Sequence, residues 1–273
     1  MSQPDAGASA LELSRVTCSF PDRSGRGGQY VAVSDASITV AHGQFVALVG
    51  PTGCGKSTLL NAAAGLLSPV EGEVWVFGER LTGLNRHAGY LFQPDSLLPW
   101  RTALDNVAAG LEFGGMGRHE ARARSRPWLE RVGLAAHAAK YPHELSGGMR
   151  KRVALAQTWI LQPKILLMDE PFSALDVQTR QLMENELLAI WADNRACVLF
   201  VTHDLEEAIA LADRVVVLSA GPRSRPIADF QVGLPRPRDV AEVSHDPHFT
   251  QLHAEIWHTL KDQVMAAYAR TEA

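Results

Sequence analysis

Several short stretches carry side chains that could act on a phosphate. GPTGCGKS (50–57) spaces three glycines, Gly50, Gly53 and Gly55, ahead of a lysine and a serine. A loop of this kind turns tightly and points its N–H groups at an anion. Lys56 would bridge the β- and γ-phosphates of a nucleotide, and the Ser57 hydroxyl would ligate Mg²⁺. Pro51, Thr52, Cys54 and Thr58 frame the same cradle, with the Cys54 thiol read as a small buried filler. ILLMDE (165–170) ends an apolar run in two carboxylates. Asp169 suits the water shell of a metal, and Glu170, on the other side of the strand, suits polarisation of an attacking water. Gln93 closes YLFQ and His203 closes VLFVTH. A neutral amide at the first position could meet both metal and water; an imidazole at the second could bond a γ-phosphate oxygen. LSGGMRKR (145–152) is a second glycine turn, opening a helix that carries Arg150, Lys151 and Arg152. One phosphate loop is already present, so the second poses the question of whose phosphate it serves.

The elements that must position these residues can be read from periodicity. VTCSF and VAVSDASITV, within 11–20 and 31–40, alternate apolar and polar residues as half-buried antiparallel strands do, with the polar turn PDRSGRGGQ between them. FVALVG (45–50) is an unbroken apolar run, as expected of a buried parallel strand, and KSTLLNAAAGLL (56–67) follows with helical spacing. EGEVWVFGERL (71–81) reads as a strand pair with its turn and AGYLFQ (88–93) as another short strand. Alanine- and arginine-rich helical segments then run to about Trp159, broken at GLEFGGMGR and Pro142. Strand patterning returns in KILLMDEP, CVLFVTHD and RVVVLSAG, the first two each followed by a helical stretch, which makes βα units and a parallel sheet. The prolines of LPRPRD mark a linker, and Phe249, Leu252, Ile256, Leu260 and Val264 recur at helical spacing.

The expected architecture is therefore α/β. Residues 1–93 and 160–235 form the core with an antiparallel β subdomain, 94–159 an inserted helical subdomain, and 236–273 a linker with a C-terminal amphipathic helix.

Composition narrows the function classes. Among 273 residues, 46% are hydrophobic, ample for a core, and 26 Lys+Arg against 30 Asp+Glu leave a net charge of −4. A domain that binds nucleic acid through a dominant basic surface is not expected. The local clusters at Arg118–Arg126 and Arg150–Arg152 read as solvated helix faces. Three dispersed cysteines, Cys18, Cys54 and Cys197, argue against a disulfide framework and for a reducing compartment. The N-terminal stretch lacks the pattern of a signal peptide, and no apolar run approaches the ~18 residues that span a bilayer. The expectation is a soluble, intracellular chain that meets a membrane only through a partner. His245, His248, His253 and His258 do not form a clean metal-ligand pair, and solvent-facing positions are expected.

Taken in order, the P-loop at 50–58, Gln93, LSGGM, ILLMDEP, SALD at 173–176 and His203 resemble the motifs of ABC-type ATPases, over roughly residues 11–230. FQPDSLLPWRTALDNV (92–107) makes the chain most similar to the nucleotide-binding subunits of nitrate/sulfonate/taurine-type importers. The resemblance implies a RecA-like P-loop fold and MgATP hydrolysis by a head-to-tail homodimer on the cytoplasmic face of the membrane, driving two permease subunits served by a solute-binding protein. It implies that Ser146, Gly147, Gly148 and Met149 serve the partner's nucleotide and that Asp176 reaches across the dimer. It also implies that Phe20, with Tyr30 as the fallback, stacks on adenine, that Asp169, Ser57 and Gln93 attend Mg²⁺, and that Leu98 and Trp100 touch the permease; for Trp100 a place in the core is the alternative.

The signature in this family usually ends in glutamine, and Gln157-Thr158 stands where many relatives have arginine and alanine. Met149 is thus expected to retune nucleotide closure while sparing hydrolysis. Three rivals remain at this stage. A soluble ABC-type ATPase fits less well, since neither long coiled coils nor a second ATPase unit is present in the sequence. A phosphotransferase is disfavoured by the signature and by Asp169-Glu170, and a regulatory subunit without catalysis by the full set of motif residues.

Overall fold

The architecture was obtained as a computed structural model, which describes residues 9–21, 28–173 and 175–271. Most of the expected polar turn (22–27) and Ala174 of the SALD motif lie outside the described residues.

The elements follow one another as β1 (Ser9–Pro21), β2 (Gln29–Ala41), β3 (Phe45–Val49), α1 (Lys56–Ala63), β4 (Glu71–Val76), β5 (Glu79–Arg80) and β6 (Ala88–Leu91). Then come α2 (Ala103–Phe113), α3 (Arg118–Arg131) and α4 (Gly147–Trp159). The chain returns to β7 (Ile165–Asp169), α5 (Val177–Asn194), β8 (Cys197–Val201), α6 (Leu205–Leu211), β9 (Arg214–Leu218) and β10 (Pro226–Gln231), and ends in α7 (Val240–Val243) and α8 (Pro247–Thr271).

Two sheets organise the fold. The larger runs β10-β9-β3-β8-β7-β6, parallel throughout except for β10, which pairs antiparallel with β9. The smaller, β2-β1-β4-β5, is antiparallel. The unbroken apolar runs of the central strands follow from burial on both faces. Phe45, Ala47 and Val49 of β3 enter one core with Leu166, Met168, Val198 and Phe200, while Val46 and Leu48 enter a second core between the sheets with Ile165, Leu167 and Leu199. A one-residue register slip would exchange these sets, so the pleat fixes where each strand ends and hence where Asp169 emerges.

The helices α2–α4 carry a third core built on Leu104, Val107, Leu129, Val153 and Ile160. Helix α4 belongs to two cores, because Ala154, Leu155 and Trp159 pack into the main one. The C-terminal segment packs there as well: Phe249, Leu252, Ile256 and Leu260 are buried with the main sheet and Val264 lies against it. Arg236 and Arg238 are occupied at the end of α6, where Arg236 donates to Leu211 O at 2.6 Å and Arg238 to Ala212 O at 2.7 Å.

The element bounds differ from the sequence reading at several points. Helix α1 stops at Ala63 rather than running to residue 67, because Gly65 adopts φ +70 and a Cβ there would lie 1.9 Å from Gly83 O. Strand β6 ends at Leu91 and β8 at Val201, which leaves Gln93 and His203 each two residues on, in the following loops. Strand β10 and helix α7 were not anticipated; β10 is an edge strand of half-exposed alternation with little apolar signal. All three cysteines are buried and unpaired, and burial pushes Cys18 up to about 11 and Cys197 up to about 12. His245, His248 and His258 are exposed and His253 is half-buried; a ring nitrogen of His248 meets Val232 O at 2.9 Å.

Candidate active site

The phosphate loop bridges the end of β3 and the start of α1. Gly55 is the N-cap at φ +95, and a Cβ there would lie 2.5 Å from Val33 Cγ2, so only glycine fits. With no side chain capping α1, the N–H groups of its first turn are available to an anion. Lys56 is buried and donates to Gly50 O at 2.8 Å and Pro51 O at 3.2 Å, which holds its ammonium against the loop. Cys54 takes part through its backbone alone. Its thiol is buried in the inter-sheet core, where burial raises its pKa, and its carbonyl accepts from the buried Ser224 hydroxyl. Ser224 also donates its N–H to Ala32 O at 3.1 Å, so the 221–225 turn braces the loop from behind.

Thr52, Gly53, Gly55 and Lys56–Thr58 line a cleft of about 480 Å³, a size suited to a nucleotide. Gln93, Glu170 and His203 share the lining, as do Phe20 and Tyr30, paired across β1 and β2. The polar side chains converge on one carboxylate: Glu170 Oε2 lies 3.3 Å from Gln93 Nε2 and 3.1 Å from His203 Nδ1. Glu170 adopts φ +45, a left-handed conformation that costs a non-glycine residue on the order of 1–3 kcal/mol. Its N–H donates to Val201 O at 2.9 Å and its carbonyl accepts from Ser173 Oγ at 3.0 Å, bonds that hold the strained turn. A strained, well-anchored residue in a cleft is a mark of function.

Asp169 sits beside it, accepting from Ser57 Oγ at 3.0 Å. Burial pushes the Asp169 carboxyl above its ordinary range, partly opposed by the Ser57 hydroxyl. Ser57 and Asp169 bring a hydroxyl and a carboxylate, both hard oxygen donors, within 3.0 Å of each other, a donor set whose chemistry fits Mg²⁺ and its water shell.

The signature turn is built differently. Ser146 is exposed and caps α4, accepting from Met149 N at 3.3 Å. Ser146, Gly147, Gly148 and Met149 do not line the phosphate-loop cleft of their own chain. Gly148 approaches the start of α5, where a Cβ would lie 3.4 Å from both Leu175 and Thr179. The basic residues after the turn are not a solvated face. Lys151 is buried and donates to the carbonyls of Gln93 and, at 3.4 Å, Phe92. Arg150 holds Asp95 at 2.7 Å and Leu145 O at 2.8 Å, and Arg152 donates to Val132 O at 3.1 Å. Burial lowers the Lys151 pKa, opposed by Asp95.

Asp176 caps α5, accepting from Thr179 N at 3.0 Å, and that bond holds its carboxyl below the ordinary range. Arg180 in the next turn links Leu175 O at 3.3 Å to Asp204 at 3.0 Å, beside His203. In the LLPW stretch Leu98 is half-buried and Trp100 is 72% exposed, outside the core. The buried Asn106 shapes that loop, accepting from Leu98 N at 2.7 Å and donating to Leu98 O and Arg101 O at 3.1 and 3.0 Å. Ser224, Asn106, Arg180 and the grip of Lys151 escaped sequence reasoning, since each acts through partners distant in sequence or through backbone atoms.

Among the described residues, no helix is long and apolar enough to cross a membrane. The ABC transporter family profile matches residues 33–173. The chain is 40% identical to the nitrate import ATP-binding protein NrtD of Synechococcus elongatus, covering 84% of each chain. It is 40% identical to the bicarbonate transport ATP-binding protein CmpD of a Synechocystis species, covering 82% of this chain and 80% of that one. The dimeric structure of a bacterial ABC transporter cassette superposes with a TM-score of 0.73 at 30% identity, over 82% of this chain and all of that one. The cleft on the phosphate loop and the kinship of the whole cassette agree: this chain belongs to the ABC transporter family, as one of its ATP-binding, ATP-hydrolysing cassettes.

Proposed function

We propose that the chain energises an importer, hydrolysing MgATP to drive uptake of a small solute of the nitrate/sulfonate/taurine-like class through a separate permease. The observation that carries the hydrolytic part is the convergence of Gln93 and His203 on Glu170 beside the phosphate loop. The importer part is supported by the kinship to cassettes named for nitrate and bicarbonate, both small anions.

Lys56 and the first-turn N–H groups of α1 would bind the β- and γ-phosphates, and Phe20 or Tyr30 would stack on adenine. Ser57, Asp169 and Gln93 would hold Mg²⁺, which when bound supplies charge neutralisation at the phosphates. Glu170 takes the proton of a water as its oxygen attacks the γ-phosphorus and the bond to the bridging oxygen breaks; ADP carries that oxygen away. His203 orients Glu170 through Nδ1 and leaves Nε2 for a γ-phosphate oxygen.

Two copies would face head to tail, so that Ser146, Gly147, Gly148 and Met149 of one complete the nucleotide site of the other, with Asp176 at the seam. In this reading residues 1–93 and 160–235 hold the nucleotide, 94–159 carry the signature, and 236–273 brace the core. Leu98 and Trp100 would dock a permease helix, placing the chain on the cytoplasmic face of the membrane with two permease subunits and a solute-binding protein. An apolar anchor of this kind suits a protein contact.

The test is a pull-down of tagged Glu170→Gln chain with ATP from detergent-solubilised native membranes, read by mass spectrometry. A multi-helix permease is expected, and its solute-binding protein can then be screened against nitrate, bicarbonate and sulfonates. Recovery of soluble partners alone would overturn the transporter role in favour of a free ATPase.

A further inference from the structure

Helix α4 starts in the signature turn and, one turn on, reaches into the loop that carries Gln93. The reach is made by Lys151, whose side chain is 6% exposed. Its acceptors decide what it does. An ammonium has three N–H groups, and here they face Gln93 O, Phe92 O at 3.4 Å and Asp95 at 3.6 Å. Asp95 divides its carboxylate, Oδ2 to Arg150 at 2.7 Å and Oδ1 toward Lys151 at 3.6 Å, so the acid braces Lys151 while the nearest acceptor of its ammonium is the Gln93 carbonyl. The peptide held in this way belongs to Gln93, whose side-chain amide spans to Glu170 Oε2 at 3.3 Å.

We infer that Lys151 is a positioning residue for hydrolysis: it fixes the Gln93 backbone so that the Gln93 amide meets Glu170, and it ties that contact to the signature helix. The inference rests on the reading of Gln93 and Glu170 as active-site groups. One chain of contacts then runs from Ser146 at the N-cap of α4, through Lys151, to Gln93 and Glu170. When the phosphate of a facing nucleotide engages the Ser146 turn, a shift of α4 moves the Gln93 peptide with it. Each site would thereby register the occupancy of the other.

Three full-length variants test this by steady-state hydrolysis of MgATP, fluorescent-nucleotide binding and deuterium exchange. Lys151→Met removes the donors at similar length. It is expected to lower kcat about 10-fold, the scale of a small misplacement of a catalytic group, with KM within about 2-fold. Exchange should quicken in 92–99 and stay unchanged in 50–58. Lys151→Gln keeps an N–H for the carbonyls without the charge and should retain about half or more of wild-type kcat. Asp95→Asn leaves the carbonyl grip intact, removes the charge partner, and should stay within about 2-fold of wild type.

A Lys151→Met chain that hydrolyses at the wild-type rate, or one that loses ATP binding in step with kcat, overturns the inference. So does a 10-fold loss in Asp95→Asn, which leaves Lys151 and its carbonyl acceptors in place. Glu170→Gln run alongside separates the two layers. If it keeps turnover, the active-site reading fails; if it is inactive while Lys151→Met is fully active, only the positioning role fails.

Discussion

The phosphate loop and the signature turn are written in nearly the same local grammar: glycines, a small polar residue, a helix N-terminus and a basic residue in the helix. Their side chains are spent in opposite ways. At the phosphate loop Lys56 stays on its own loop, 2.8 Å from Gly50 O, and Ser57 meets Asp169 at 3.0 Å inside the cleft. At the signature turn Ser146 faces outward as a helix cap, and Lys151 and Arg150 turn away to hold the Gln93 loop. The first turn is furnished within one chain. The second caps its own helix start with Ser146 and uses its charges for internal support. A glycine turn at a helix start therefore specifies where an anion can be met, and the surrounding side chains specify how that turn is supported.

The largest effect that would break the comparison is at Glu170. Glu170→Gln is expected to lower turnover by roughly 10²–10⁴-fold while ATP binding persists, measured by phosphate release and by fluorescent-nucleotide titration. Near-normal turnover would mean that the cleft on the phosphate loop is not the hydrolytic site.

Next comes a test of which chain each turn serves. Lys56→Ala removes the phosphate-loop cation, and Gly147→Asp places a carboxylate at the first turn of α4. That acid is helix-compatible and has open space, the nearest atom to a Cβ being Arg150 Nη2 at 3.8 Å. Each variant alone should lose about 10²-fold or more of activity. Mixed, the two leave one site in each mixed dimer with both turns intact. About a quarter of the wild-type rate should return if chains mix at random and sites act alone. No recovery in a mixture shown to contain mixed dimers would mean that each signature serves its own chain.

The parts of this picture that were legible in the sequence are those whose partners lie nearby. The central strands could be read because burial on both faces makes β3, β7 and β8 continuously apolar, and the phosphate loop because its chemistry occupies eight consecutive residues. Gln93, Glu170 and His203 could be placed near strand ends, though Gln93 and His203 lie two residues beyond theirs, and the φ +45 turn of Glu170 depends on Val201 and Ser173 and leaves no local signature. Lys151 was invisible because its acceptors are carbonyls nearly sixty residues away, and a carbonyl has no letter in the sequence. Ser224 braces Cys54 across 170 residues for the same reason. The edge strand β10 and the early end of α1 were set by tertiary contacts that override periodicity.

A smaller effect concerns what the signature turn stands on. Gly148 rests against the start of α5, and on that helix Glu184 is buried with Oε1 unpaired. Burial, with Glu207 nearby, pushes Glu184 up to about 8; burial likewise pushes Glu207 up to about 7. A carboxyl whose pKa is raised by folding binds more protons folded than unfolded, so its contribution is full below the ordinary value of 4.5 and is lost as pH rises through about 8. Glu184→Gln, neutral at every pH, should melt with wild type below the ordinary value of 4.5 and above wild type at pH near 8.5, by ~2–4 °C for each kcal/mol of penalty removed. Equal melting temperatures at both pH values would show that Glu184 is already relieved by solvent.

The smallest effect is at Met149, where the signature departs from the usual glutamine. Its backbone N–H is held by Ser146 and its side chain packs against the core of α2–α4. Met149→Gln exchanges apolar contact for an amide at the same length. Two consequences oppose one another. The half-buried amide should lower the melting temperature by a few degrees, on the order of 1 kcal/mol. If two copies pair head to tail as proposed, the same amide would add a hydrogen-bonding group near the signature turn, and ATP-driven association of the Glu170→Gln background should tighten, by less than about 10-fold. Analytical ultracentrifugation with ATP, beside a melting curve without it, separates the two. Unchanged association with a lowered melting temperature would mean that Met149 acts only as packing, and that the glycine N–H groups alone meet the facing phosphate.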